Sequence, residues 1–190
     1  MKKTLLILFA LATMQVSAQE FAGIDLSVMD IAYYPNGAHR AAFAKTAKEK
    51  AELMPRIRIT YSRPLVKGRK IFGELVKYDQ PWRFGANEST EVMFYTPVKI
   101  GESVLAPGRY TLYCVPGESN WTLKVHPNLD GWGSFGYDDS KALAEVSAPV
   151  KKSDSLIEAF SIAMFETAPR IVHLKAGWEN TIVEFPIELL

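Results

Sequence analysis

From Arg56 onward the chain alternates apolar and polar residues with a period of two, run after run, and this pattern limits what it can fold into. Ile57, Ile59 and Tyr61 fall on one face of an extended segment, and Val92 and Phe94 repeat the pattern. Tyr110 and Leu112 follow, then Trp121, Leu123 and Val125, with Thr122, Lys124 and His126 on the opposite face. Phe160, Ile162 and Met164 form another run, as do Val172, Leu174 and Ala176, and then Val183, Phe185 and Ile187. Successive side chains of a strand point to opposite faces, so each run predicts a strand with one side in a core. Pro107-Gly108 and Pro116-Gly117 mark tight reversals between runs, because proline presets φ and glycine accepts positive φ. Many short strands joined by such turns predict an all-β fold, an antiparallel β-sandwich of jelly-roll or immunoglobulin-like type. Pro186 predicts that the last strand lies at an edge or ends there.

Residues 1–18 read differently. Lys2 and Lys3 precede an apolar run from Leu5 to Met14, and Val16-Ser17-Ala18 places small residues at a cleavage site, so a secretory signal peptide cut after Ala18 is expected. The apolar run is shorter than the roughly 20 residues a membrane-spanning helix needs, and no later stretch approaches that length. An exported protein, periplasmic or extracellular, follows as the expectation. Residues 19–54 form an arm. Within it Asn36 to Leu53 is rich in Ala, Lys and Glu, with Asn36 as the expected N-cap of a surface helix and Pro55 as its stop. An extended arm is the alternative, because the apolar stripe is thin. Residues 55–190 are expected to form one domain.

Charge excludes one class of partner. The chain carries 22 Lys and Arg against 21 Asp and Glu, and loss of the two lysines in residues 1–18 leaves the mature protein near −1. Nucleic-acid binding through bulk charge is not supported. Cys114 is the only cysteine, so no internal disulfide can form, and its alternation with Tyr110 and Leu112 predicts a buried, inert thiol.

The unusual chemistry is concentrated between residues 57 and 95. Arg63, Lys67, Arg69 and Arg83 bring cations among glycines, Trp82 adds an aromatic face, and Asn87 and Glu88 add polar groups. Guanidinium forks suit carboxylate or phosphate, and glycines let a backbone approach a ligand closely. The set predicts a noncatalytic site for an anionic small molecule or a glycan, with Trp82 or Trp132 as a stacking surface. The competing expectation is structural: arginines paired with Glu74, Glu88 or Glu91, and tryptophans in the core.

No catalytic residue, metal site or cofactor is assigned. Glu88, His126 and Asp138 are the only acid-base candidates, with His126 and His173 expected as solvated surface histidines. Asp138-Asp139 matches no calcium loop, and three dispersed histidines with one cysteine make no zinc signature. A hydrolase acting on the cell envelope is the second reading. An envelope assembly protein whose arm or sheet edge contacts a protein partner is the third.

These residues carry a family resemblance. Met29 to Pro35, Tyr61 to Gly73, Trp82 to Thr90 and Ala106 to Leu112 are similar, in order, to segments of the domain-of-unknown-function family DUF2911, found mainly in secreted bacterial proteins. Trp121-Thr122, Trp132-Gly133, Tyr137-Asp138 and Trp178 to Ile187 extend the similarity over nearly the whole mature chain. The chain departs from it at Ala142 to Val146, where related sequences place an acidic residue and an arginine. The resemblance implies a β-rich secreted domain and brings no activity with it.

Overall fold

A computed structural model describes residues 21–190; the expected signal peptide, residues 1–18, lies outside them. The fold is the antiparallel sandwich that the alternation predicts. Among the described residues ten strands make up two sheets: β1 (Met29–Tyr34), β2 (Ile57–Ser62), β3 (Thr90–Phe94), β4 (Val98–Ile100), β5 (Ser103–Leu105), β6 (Gly108–Pro116), β7 (Asn120–His126), β8 (Ala144–Pro149), β9 (Lys151–Ala168) and β10 (Ile171–Leu189). One sheet has the order β1-β2-β3-β6-β7-β8 and the other β5-β4-β10-β9. Side chains of each inner face meet between the sheets, as the alternating burial of Ile57, Ile59, Val92, Phe94, Leu123, Val125, Phe160 and Met164 records. Tyr61 adds a polar tie across the layers, its hydroxyl accepting the Ile162 amide hydrogen at 3.0 Å.

In β10 the inward set shifts phase, from Val172, Leu174, Ala176 and Trp178 to Val183, Phe185 and Ile187. A bulge accounts for the shift. Pairing with β9 slips between Gly177 and Glu179 and again before Thr181, and Glu179 takes a positive φ of 55°. The surplus residues lie on β9, which takes nine positions from Ser161 to Lys152 against four in β10 from Gly177 to Thr181, and the left-handed Glu179 turns the β10 backbone so that its inward set changes parity.

Pro186 is not on an edge strand, because β10 runs between β4 and β9. The proline falls after the β9 ladder ends at Ile182 and before the β4 ladder begins at Glu188, where a missing N–H breaks no pairing. The arm is also divided differently from the single helix expected. A 3₁₀ turn spans Ala38–Phe43, and a helix, α1 (Ala47–Leu53), starts at Thr46 rather than Asn36. Thr46 accepts the Glu49 N–H and the Glu49 carboxylate accepts the Thr46 N–H, both at 3.1 Å, a reciprocal cap that Asn36 does not form. Pro55 follows the helix end as expected.

Residues 63–89 leave β2 and plug one end of the sandwich. Val66, Ile71, Phe72, Val76, Trp82, Phe84 and Ala86 are buried there. Where β3 has not yet begun, Trp82 takes its place beside β6, exchanging both backbone hydrogen bonds with Cys114 at 2.7 and 2.8 Å. The Trp82 ring lies parallel to Trp178 (centroids 5.9 Å apart, planes at 16°) and edge-on to Trp121, Phe160 and Phe84. This aromatic cluster forms the floor under the loop that carries the candidate residues.

Candidate functional site

Arg63 is a strut. Its Nε donates to the Phe160 carbonyl at 3.1 Å, one terminal nitrogen to Asp30 at 3.0 Å, and the other to the Ser161 hydroxyl at 2.8 Å. These three bonds, to β1 and β9, engage each of its three nitrogens. Lys67 holds a positive φ of 49° in an exposed turn, and its backbone N–H donates to Glu158. Trp82 is not an exposed stacking surface: it is buried in the aromatic cluster, and its indole N–H donates to the Gly85 carbonyl at 3.0 Å.

Arg69 and Arg83 stand apart from these. Arg69 curls back to donate to the carbonyls of Leu65 and Val66 and meets no carboxylate among the described residues. Arg83 is half-buried, and its Nε–H has no acceptor. Burial without a compensating anion pulls its pKa below the usual arginine value. None of Glu74, Glu88 and Glu91 pairs with these arginines. Glu74 faces Lys70 at 3.7 Å, and Glu91 faces Arg109 at 3.8 Å.

Both arginines line one cavity of about 280 Å³, together with Ser27, Pro64, Leu75, Val76, Trp82, Gly85, Ala86, Asn87 and Trp178. No carboxylate is in that lining. Trp178, turned inward in step with Val172, Leu174 and Ala176, also has a buried indole N–H without an acceptor. Two unpaired buried donors among the lining residues of one cavity are uncommon, since buried polar groups are nearly always hydrogen-bonded. Asn87 sits at the rim with a positive φ of 56°, and its side chain donates to Asp25 of the arm at 2.9 Å. Of the seven residues singled out in the sequence, the cavity gathers Arg69, Trp82, Arg83 and Asn87, and leaves out Arg63, Lys67 and Glu88. Ser27 and Trp178 were not singled out for it. The alternation of β10 turns Trp178 inward, but no local pattern places either residue beside Arg83; Ser27 arrives there with the arm.

Glu88 opens instead onto a second cavity of about 280 Å³, on the outer face of the larger sheet, with Thr60, Ser62, Ser89, Glu91 and Asp130. That face is largely covered. The segment from Pro127 to Ala142 folds over it, with the Ser89 hydroxyl donating to the Gly133 carbonyl at 2.8 Å and Tyr137 packing on Tyr113 at 4.9 Å. His126, expected at the surface, is therefore fully buried. Its Nδ1 accepts the Asn128 N–H at 3.3 Å, so Nε2 carries the proton and donates to the Asp138 carbonyl at 3.0 Å. Asp138 caps the turn at residues 139–141 and pairs with Lys141 at 3.2 Å. His126 thus has both ring nitrogens engaged by backbone, and Asp138 serves a turn. Among the described residues no cluster of three or more His, Cys, Asp or Glu is arranged to hold a metal.

At the tip of that covering segment, Trp132 is 58 % and Phe135 77 % exposed. Their rings are nearly parallel, with planes at 11° and centroids 5.8 Å apart. Phe21 and Phe43 of the arm are also exposed, but no stacked partner is seen for either among the described residues, whereas these two rings face one another.

Fold and cavity together define an antiparallel β-sandwich with a plugged end and a carboxylate-free arginine pocket. The chain belongs to the family described as protein of unknown function (DUF2911), whose model matches residues 43–187. No curated protein and no solved structure matches it. No helix among the described residues is long and apolar enough to cross a membrane.

Proposed function

We propose that this is an exported, noncatalytic binding module that takes a small anionic molecule, carrying a carboxylate or a phosphate, in the Arg69–Arg83 cavity. One observation supports the reading above others: Arg83 is half-buried with no acceptor for its Nε–H, in a cavity whose lining holds a second arginine and no acidic side chain. A buried cation without a counter-charge is costly, and a ligand oxygen removes that cost. The volume of about 280 Å³ lies at the small end of ligand pockets, suited to one sugar-sized or smaller molecule. Trp178, another lining residue, carries a further unpartnered donor in its indole N–H.

Calorimetric titration of the protein with inorganic phosphate and with monosaccharide uronates tests the reading. Arg83→Lys keeps the charge and loses the planar fork. A hydrogen bond to a charged group contributes about 1.5–3 kcal/mol, so the substitution weakens binding by roughly 10- to 150-fold. Failure of every anionic probe to bind the native protein, or equal binding by the Arg83→Lys variant, would reject it.

A further inference from the structure

The Arg83 guanidinium belongs to two cavities at once. Beside it lies a smaller one of about 200 Å³, which shares Leu75, Val76, Trp82 and Arg83 with the first and adds Lys77, Gln80, Pro81 and Ser134. Its lining also lacks a carboxylate. Ser134 connects it to the exposed aromatic pair, lying between Trp132 and Phe135 in the chain. The segment is fixed there, since the Gly133 N–H donates to the Asn87 carbonyl at 2.8 Å and its carbonyl accepts the Ser89 hydroxyl at 2.8 Å. Asn87 is itself on the rim of the first cavity, so the aromatic pair is anchored to the pocket it adjoins.

Resting on the anion-binding reading above, we propose that the occupant is an acidic saccharide of more than one unit. Its charged ring enters the Arg69–Arg83 cavity, and the following units pass Arg83 and Lys77 toward the Trp132–Phe135 surface. Each part of that path fits one part of such a molecule. Carboxylates suit the arginine fork, while the C–H face of a pyranose packs on an aromatic face and leaves its hydroxyls at the edge. Gln80 and Ser134 supply neutral hydrogen-bonding groups for those hydroxyls. Glu88 and Asp130, in the cavity beside the same segment, can accept hydrogen bonds from saccharide hydroxyls.

The test compares galacturonate with short oligogalacturonates by calorimetry, on the native chain, a Trp132→Ala/Phe135→Ala variant and Arg83→Lys. Both aromatics are exposed, so the double variant retains the fold, which its melting temperature checks. The expected result is an oligomer bound at least about tenfold tighter than the monomer. In the double variant that gain disappears while monomer affinity is unchanged; in Arg83→Lys both weaken. An oligomer bound no tighter than the monomer, or a gain that survives the double substitution, overturns the proposal. If phosphate binds through Arg83 and no uronate does, the saccharide proposal fails and the anion site stands. If neither binds, both fail.

Discussion

Arg63 and Arg83 lie twenty positions apart in one loop, yet replacing each by alanine is expected to have opposite consequences. Arg63→Ala removes three hydrogen bonds, one of them an ion pair with Asp30 at 3.0 Å, and leaves the Phe160 carbonyl without its partner. Bonds to a charged donor contribute about 1.5–3 kcal/mol each when shielded. The Arg63 side chain is 33 % and the Asp30 side chain 43 % exposed, so the ion pair itself contributes less, under about 1 kcal/mol. With the other two bonds, on a side chain a third exposed, taken at the low end of that range, the total loss comes to about 3 kcal/mol. For a domain of this size each 1 kcal/mol lowers the melting temperature by roughly 2–4 °C, which predicts a drop of about 6–12 °C. Arg83→Ala removes no hydrogen bond made by Nε and relieves a desolvated charge, so its effect stays within about 1 kcal/mol. Urea unfolding followed by tryptophan fluorescence measures both, with the buried Trp121 and Trp178 as reporters. Equal destabilisation by the two substitutions would refute the division into strut and free site, and so would an unperturbed Arg63→Ala.

Three more outcomes follow from the packing. Cys114 is fully buried and its thiol is pushed well above the ordinary value by that burial, so a thiol reagent should label it only when urea unfolds the protein; rapid labelling of the native state would contradict the buried placement. Gly101 has a φ of 56° and an added Cβ would collide with the Glu145 carbonyl, so Gly101→Ala should destabilise by more than about 1–2 kcal/mol in equilibrium unfolding. Burial, together with a 2.9 Å hydrogen bond to Glu166, pushes the Tyr34 hydroxyl up to about 12 from 10.0. Because the folded value is the higher one, the stabilisation is whole below pH 10.0 and is lost as pH rises through about 12. The stability gap between native protein and Tyr34→Phe should therefore hold steady below the lower value and close across that window. A gap that widens there would reverse the assignment.

The strands were legible because burial alternates with the sheet's own period, and the turn residues at Pro107-Gly108 and Pro116-Gly117 separate them. Even the irregularity in the β9–β10 pairing is visible in the sequence, as the change of phase between Ala176 and Val183. The site was legible only as a composition. Arg63 and Arg83 look alike along the chain, and what separates them is contact with Phe160 and Ser161, nearly a hundred positions away. His126 alternates onto the polar face as strand periodicity requires, but a later segment covers that face, and alternation carries no record of what folds back on a sheet. Trp132 and Phe135 gave no periodic signal because they belong to that covering segment.

The match to the family covers residues 43–187, whereas β1 spans Met29–Tyr34 and supplies the outer ladder of the larger sheet, from Met29 opposite Ser62 to Tyr34 opposite Ile57. A recombinant fragment trimmed to the matched span would strip that ladder, bare the backbone of β2 along its length, and deprive Arg63 of Asp30. It would also lose Ser27 from the cavity wall and the last β10 residues that pair with β4. An unprotected strand flanked by Ile57, Ile59 and Tyr61 is a template for edge-to-edge association. Such a fragment would fail in expression or ligand screening because of where it was cut, and its silence would say nothing about the intact protein.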